Sequence, residues 1–258
     1  MKDKFEEFVK IVERLRKECP WDREQTHDSI KDATLEETYE VIEAIDSKDY
    51  DELKKELGDL LLHVVFHSKI AEENNNFKLE DVIKNVQDKL IRRHPHVFGN
   101  TEVSGAGEVK KNWEQIKLSE GRTSVLEGVP RQLPSLQRAY RLQEKASKIG
   151  FDWENKDDVW KKVIEEIEEM HASELSGNKE ELEKEVGDVF FSLVNYSRFL
   201  NINPENALRT TIEKFIKRFD YVQMKIEESG KKIYESNLQE MDKYWEESKK
   251  ILGSKNPE

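Results

Sequence analysis

Acidic side chains recur twice in this chain at spacings that suit a divalent cation. Leu35-Glu36-Glu37-Thr38-Tyr39-Glu40 is echoed by Ile164-Glu165-Glu166-Ile167-Glu168-Glu169, and Glu56-Leu57-Gly58-Asp59 by Glu185-Val186-Gly187-Asp188, all at an offset of 129 residues. Positions three apart share one face of a helix, so Glu37 pairs with Glu40 and Glu56 with Asp59. Ser47-Lys48-Asp49 lies midway between the pairs. If the two helices run antiparallel, Glu40 and Glu56 sit level with each other about 12 Å from that turn, and Glu37 levels with Asp59. The second copy repeats this symmetry about Gly177, bringing Glu166, Glu169, Glu185 and Asp188 together. Four carboxylates crowded into one partly buried place repel one another and are costly to desolvate unless a cation joins them or some take up protons. An all-oxygen set suits Mg2+ or Mn2+, with positions left for water and phosphate oxygens. Gly58 and Gly187 stand mid-helix at matching places, where close helix approach would explain both.

Cations accompany the acids. Lys89-Leu90-Ile91-Arg92-Arg93 parallels Lys214-Phe215-Ile216-Lys217-Arg218, each with Lys and Arg one helical turn apart, suited to a polyphosphate. Trp113 and Trp245 close the two halves, positioned to stack on a base or to fill a core. The halves differ in detail: Lys162 corresponds to Ala33, and Asn195 and Tyr196 to Phe66 and His67. Residues 136–258 are therefore expected to hold the main catalytic site, with a first half that is weaker, differently selective or structural.

Helices must position these groups. Apolar residues recur at helical spacing from Phe5 to Leu15, ahead of a break at Cys19-Pro20-Trp21-Asp22. Further helices are expected at about 28–46, 50–73, 79–94, 107–119, 133–149, 156–175, 179–200, 204–229 and 237–251, with no strand pattern. With 258 residues and only 11 Gly and 6 Pro, the chain reads as all-α. The stretch Gly121 to Pro134 marks a linker, so domains are expected at 1–120 and 136–258, joined by 121–135.

Composition excludes several classes. No apolar run approaches a membrane span, and the charged start is unlike a signal peptide, which points to a cytoplasmic protein. The single Cys19 forms neither an internal disulfide nor a multi-cysteine zinc site, and is expected to be buried. A net charge of -12 without a Lys/Arg-rich block argues against nucleic acid as a partner. His63 and His67, one turn apart in a leucine-rich helix, read as packing residues rather than zinc ligands.

Cys19-Pro20-Trp21-Asp22, Leu35 to Glu40, Glu56 to Leu60, Arg92-Arg93-His94-Pro95-His96-Val97-Phe98, Trp113 to Lys117 and Gly150-Phe151-Asp152-Trp153 together resemble the two-domain MazG nucleoside triphosphate pyrophosphohydrolases. The resemblance spans nearly the whole chain. It implies tandem all-α domains, usually in a homodimer, and Mg2+-dependent cleavage of ribo- or deoxynucleoside triphosphates between the α and β phosphates. The products would be the monophosphate and pyrophosphate, and the role housecleaning of the nucleotide pool. It also implies that Glu166, Glu169, Glu185 and Asp188, like Glu37, Glu40, Glu56 and Asp59, are metal ligands, and that Lys162, Lys214, Arg218 and Trp245 contact nucleotide. Glu165 or Glu36 is a candidate base for positioning the attacking water, a role left open by their place one residue off the ligand face. Glu181 departs from the pattern, standing where members of the family can carry lysine.

Two rivals remain. A non-catalytic nucleotide sensor would use the same metal site without turnover. A di-iron carboxylate bundle needs paired Glu-x-x-His motifs, and Glu168 to His171 has no symmetric counterpart.

Overall fold

The computed structural model describes residues 2–120 and 124–253, and every regular element among them is helical. The chain divides into two compact units, Met1–Ile116 and Lys117–Glu258. The first unit begins with α1 (Lys2–Glu18), short α2 (Pro20–Glu24), α3 (His27–Ser47), α4 (Tyr50–Glu73), α5 (Leu79–Arg93) and short α6 (Pro95–Phe98). α7 (Ala106–Ser119) carries the division between the units within its last turns. The second unit holds α8 (Ser135–Ser147), α9 (Lys156–Ser176), α10 (Lys179–Phe199), α11 (Pro204–Glu228), a 3-10 turn (Ile233–Glu235) and α12 (Leu238–Gly253). The long helices fall where hydrophobic spacing places them. The short α2 and α6 escape that reasoning because each starts on a proline at its first turn and is too short to show a period.

In both units the central feature is a helix pair, α3 with α4 and α9 with α10. Their register is set by local chemistry at the connecting turns. Thr26 and Ser29 form a reciprocal capping box at the start of α3, with Thr26 Oγ1 accepting from the Ser29 amide at 3.2 Å and Ser29 Oγ from the Thr26 amide at 2.9 Å. Lys48 ends the helix in the left-handed region at φ 58°, and Asp49 then caps α4 by accepting from the Asp51 and Glu52 amides. The second unit uses Gly177 at φ 72° for the same reversal, a conformation that costs glycine no side-chain clash. Asn155 and Asn178 cap α9 and α10.

One core gathers Val12, Ile30, Val65, Phe66, Ile70 and Leu79, with Phe5, Phe8, Val9 and Leu62 packed around them. It is built by α1 lying on α4, with Ile30 of α3 and Leu79 of α5 packed into the same cluster. In the second unit α8 lies against α10, and Val159, Val163, Val194, Val222 and Ile226 are buried. The segment before α8 is tied to this unit, since Lys145 Nζ donates to the Val125 and Glu127 carbonyls at 3.1 and 3.0 Å. Close helix approach at Gly58 and Gly187 is not found among the described residues: a Cβ at either would meet nothing within 4 Å. Cys19 is half-buried rather than fully enclosed. Among the described residues no helix is long and apolar enough to cross a membrane.

Because the caps fix the turn between each pair of carboxylate helices, Asp49→Ala and Asn178→Ala are each expected to cost about 1 kcal/mol of stability. Urea denaturation followed by circular dichroism checks this, with a lower midpoint at unchanged slope as the expected result.

Candidate metal centres

The antiparallel pairing brings the repeated acids together. Carboxylate oxygens of Glu37, Glu56 and Asp59 all lie within 4.8 Å of one another, and so do those of Glu166, Glu185 and Asp188. Glu40 borders the first group, close enough to raise the proton affinity of both Glu37 and Glu56. Glu169 borders the second, close enough to act on Glu185 by charge. In each group a member is buried, Glu56 in the first and Glu166 in the second. His171 lies with Glu174, 3.2 Å away, and neither Glu168 nor His171 belongs to these groups, so the Glu-x-x-His element of a di-iron bundle has no place at either centre.

The crowding is visible in the proton affinities. Glu37 is pushed above the usual carboxylate range by burial first, then by the charges of Glu40, Asp59 and Glu36. Burial, the hydrogen bond with Glu52 and the proximity of Glu40 push Glu56 up to about 7. Glu185 is raised by burial and then by Glu169, Asp188, Glu181 and Glu166. Glu181 thus adds negative charge to the second centre. This is the donor set of a hard cation: oxygen ligands only, mutually repelling, and partly withdrawn from water.

The surroundings of the two centres differ. Lys162 Nζ lies 2.7 Å from both Glu165 and Glu166, whose carboxylates hold its own pKa above the ordinary lysine value. Beside it opens a cleft of about 690 Å3, reached by Glu166 and Asp188 on one side and walled by Leu142, Ala146, Phe191 and Asn195. Arg198 also lines it, paired with Asp152 through both terminal nitrogens and with Asn195 at 2.9 and 3.1 Å. The roles of Asp152 and Arg198 escape sequence reasoning, since they come from segments 46 residues apart. Ser192 and Asn195 were legible in principle, lying one and two helical turns beyond Asp188 on the same face.

At the first centre Ala33 offers no cation, and histidines take the adjoining positions. His63 Nε2 is 3.9 Å from Glu37 Oε1, and Thr34 Oγ1 joins His63 Nδ1 at 2.8 Å and His67 Nε2 at 3.0 Å. His67 also meets His27 at 2.8 Å between their Nδ1 atoms. Burial holds His63 and His67 below the usual histidine range, consistent with neutral packing residues.

Arg218 and Trp245 meet between α11 and α12, and Lys214 lies one helical turn before Arg218 on α11. The Arg218 guanidinium lies 5.9 Å from the Trp245 ring centroid and the Phe215 ring 5.3 Å from it. None of the three lines the cleft. Arg93 and Trp113 repeat the arrangement in the first unit, also at 5.9 Å.

These raised carboxylates give a signed pH dependence. A folded state that binds protons more tightly than the unfolded chain is favoured below the ordinary carboxylate value of 4.5, and loses that advantage as pH rises through about 7. In chelator, the melting temperature is therefore expected to fall between pH 5 and pH 8. Added Mg2+ should raise it at pH 8 and have little effect at pH 5, measured by differential scanning calorimetry.

The family model described as the MazG nucleotide pyrophosphohydrolase domain matches twice, at residues 25–98 and 155–223, so each match contains one carboxylate centre. The chain is 46% identical over 250 residues to the Thermotoga maritima protein named nucleoside triphosphate pyrophosphohydrolase/pyrophosphatase MazG, covering 95% of both chains. It is 40% identical to the Escherichia coli K12 nucleoside triphosphate pyrophosphohydrolase, covering 96% of this chain and 98% of that one. It is also 45% identical to Bacillus subtilis YabN, of which it spans 51%. With the duplicated acid motif, the duplicated carboxylate centre and the duplicated family match all in register, the chain belongs to the MazG nucleotide pyrophosphohydrolase family.

Proposed function

We propose that this protein hydrolyses nucleoside triphosphates between the α and β phosphates, releasing the monophosphate and pyrophosphate, and that its principal site lies in the second domain. The observation that carries this reading is the cleft that opens directly onto Glu166 and Asp188, with Lys162 at its edge. A nucleoside fits the apolar cleft while its phosphates face the acids and the lysine.

Glu166, Glu169, Glu185 and Asp188 would hold Mg2+ or Mn2+, and the oxygen-only set fits such an ion. When bound there, the ion supplies positive charge to the phosphate oxygens and makes a nearby water more acidic. The protein's own groups do the rest. Lys162, already oriented by Glu165 and Glu166, offers a cation to a phosphate oxygen without having to be ordered at that moment. Glu165, which accepts a hydrogen bond from Lys162, would take the proton of the attacking water. Water adds in line to the α phosphorus, the bond to the α–β bridging oxygen breaks, and pyrophosphate leaves with that electron pair. Asp152 and Asn195 lock Arg198, keeping the cleft wall rigid.

Lys214, Arg218 and Trp245 stand apart from the cleft of their own chain, which fits a substrate site completed by a second copy. Leu208, Ile212, Phe215 and Phe219 form an exposed apolar stripe along α11, as Leu57, Leu61 and Val64 do on α4, and a homodimer would cover them. The domain limits 1–120 and 136–258, the role in clearing nucleotides from the pool and a cytoplasmic location belong to the same reading. Glu37, Glu40, Glu56 and Asp59 would hold a second ion in the first domain, with weaker or no turnover because Ala33 replaces the lysine.

The test is release of pyrophosphate and monophosphate from a panel of ribo- and deoxynucleoside triphosphates with Mg2+. Glu169→Gln is expected to lower kcat by about a hundredfold or more, and Glu40→Gln to leave most of it. Lys162→Met is expected to lower kcat/KM by about tenfold to a hundredfold. Release of single phosphate would indicate a different bond. Tight binding of triphosphate and Mg2+ with no product would replace the enzyme by a nucleotide sensor.

A further inference from the structure

The internal repeat lets the wall of the cleft be compared with its counterpart, position by position. At the 129-residue offset, Val159, Phe191 and Asn195 correspond to Ile30, Leu62 and Phe66. Ahead of the acid motifs the offset grows by one residue, set by Trp21-Asp22 against Phe151-Asp152, and there Leu142 and Ala146 correspond to Val12 and Arg16. The packing agrees with this alignment, since α1 lies on α4 as α8 lies on α10.

In the second domain these five positions surround open space. In the first, Val12, Ile30, Leu62 and Phe66 touch one another as part of a single core. The change is largest at two positions. The Phe66 ring fills the place of Asn195 and is only 6% exposed. The Arg16 guanidinium, where the other wall has the methyl group of Ala146, lies 5.2 Å from the centroid of that ring. Arg16 cannot swing aside cheaply: it is 7% exposed, paired with Glu73 through two nitrogens, and donates to the carbonyls of Asp22 and Gln25. Moving it would break its hydrogen bonds to four acceptor atoms of three residues, two of them backbone carbonyls.

We propose that Phe66 and Arg16 plug the first domain at the place where the second admits the nucleoside, so that the first carboxylate centre takes a divalent cation but no nucleoside. The inference rests on the cleft of the second domain being the nucleoside site. It makes Phe66 and Asn195 the residues that decide which of two similar centres sees nucleotide, independently of the lysine that only one of them has.

The full-length protein with Mg2+ can be titrated calorimetrically with a deoxyadenosine triphosphate analogue carrying a methylene group between the α and β phosphorus atoms. One analogue per wild-type chain is expected. Asn195→Phe, which gives the second domain the ring that closes the first, is expected to weaken binding about a hundredfold or more, while Mn2+ still titrates both carboxylate centres. A second measurement uses the wild type alone: hydrogen exchange should slow on adding the analogue around residues 142–146 and 191–195, and not around 12–16 and 62–66. Two analogues per wild-type chain, analogue-dependent protection at 12–16 and 62–66, or undiminished binding by Asn195→Phe would each overturn the plug. A wild type that binds Mg2+ but no analogue would instead remove the nucleotide reading on which it rests.

Discussion

Like charges brought close on a pair of antiparallel helices are the constraint around which each domain is arranged. Three carboxylates with oxygens within 4.8 Å of one another, and a fourth beside them, oppose the packing of the helices that carry them. The fold holds them there because the opposing cost is met elsewhere. Capped turns at Asp49 and Asn178 set the register, and apolar contacts on the other helix faces supply the cohesion. Raised proton affinity at Glu37, Glu56 and Glu185 is the residue of that conflict, and a bound cation relieves it.

Duplication has kept this conflict and changed what surrounds it. The second domain adds Lys162 to its acids and leaves a cleft of about 690 Å3 beside them. The first fills the equivalent volume with core packing and sets His63 beside Glu37, tied to His67 through Thr34. The division of labour is economical in physical terms. A closed core stabilises the chain, whereas an open cleft forgoes that burial for a place where a ligand can lie. Polar clamps occur in both, Arg16 with Glu73 in one and Arg198 with Asp152 in the other, and each guanidinium lies over a ring, but Phe66 under Arg16 is part of the closed core whereas Phe199 under Arg198 does not line the cleft.

Much of this is legible in the sequence. Glu37, Glu56 and Asp59, and their partners Glu166, Glu185 and Asp188, could be grouped because helical periodicity and a turn midway between two motifs leave few ways to place them. The short helices at Pro20 and Pro95 were not, because four or five residues carry no period. The expected close approach at Gly58 and Gly187 rests on the energetic cost of a mid-helix glycine, and among the described residues that cost finds no steric reason.

Sequence alone therefore determined what depends on local spacing: the all-α class, the tandem repeat, the acid clusters and the lysine that only one of them has. Tertiary structure decided what depends on how distant segments meet. That Arg198 reaches Asp152, that Arg16 lies over Phe66, and that Lys214, Arg218 and Trp245 stand away from the cleft are consequences of packing between helices far apart in the chain. A pattern of residues states which face each side chain shares. Whether the volume beside that face is filled or open depends on the summed shapes of side chains from several helices, and no single stretch of sequence contains that sum.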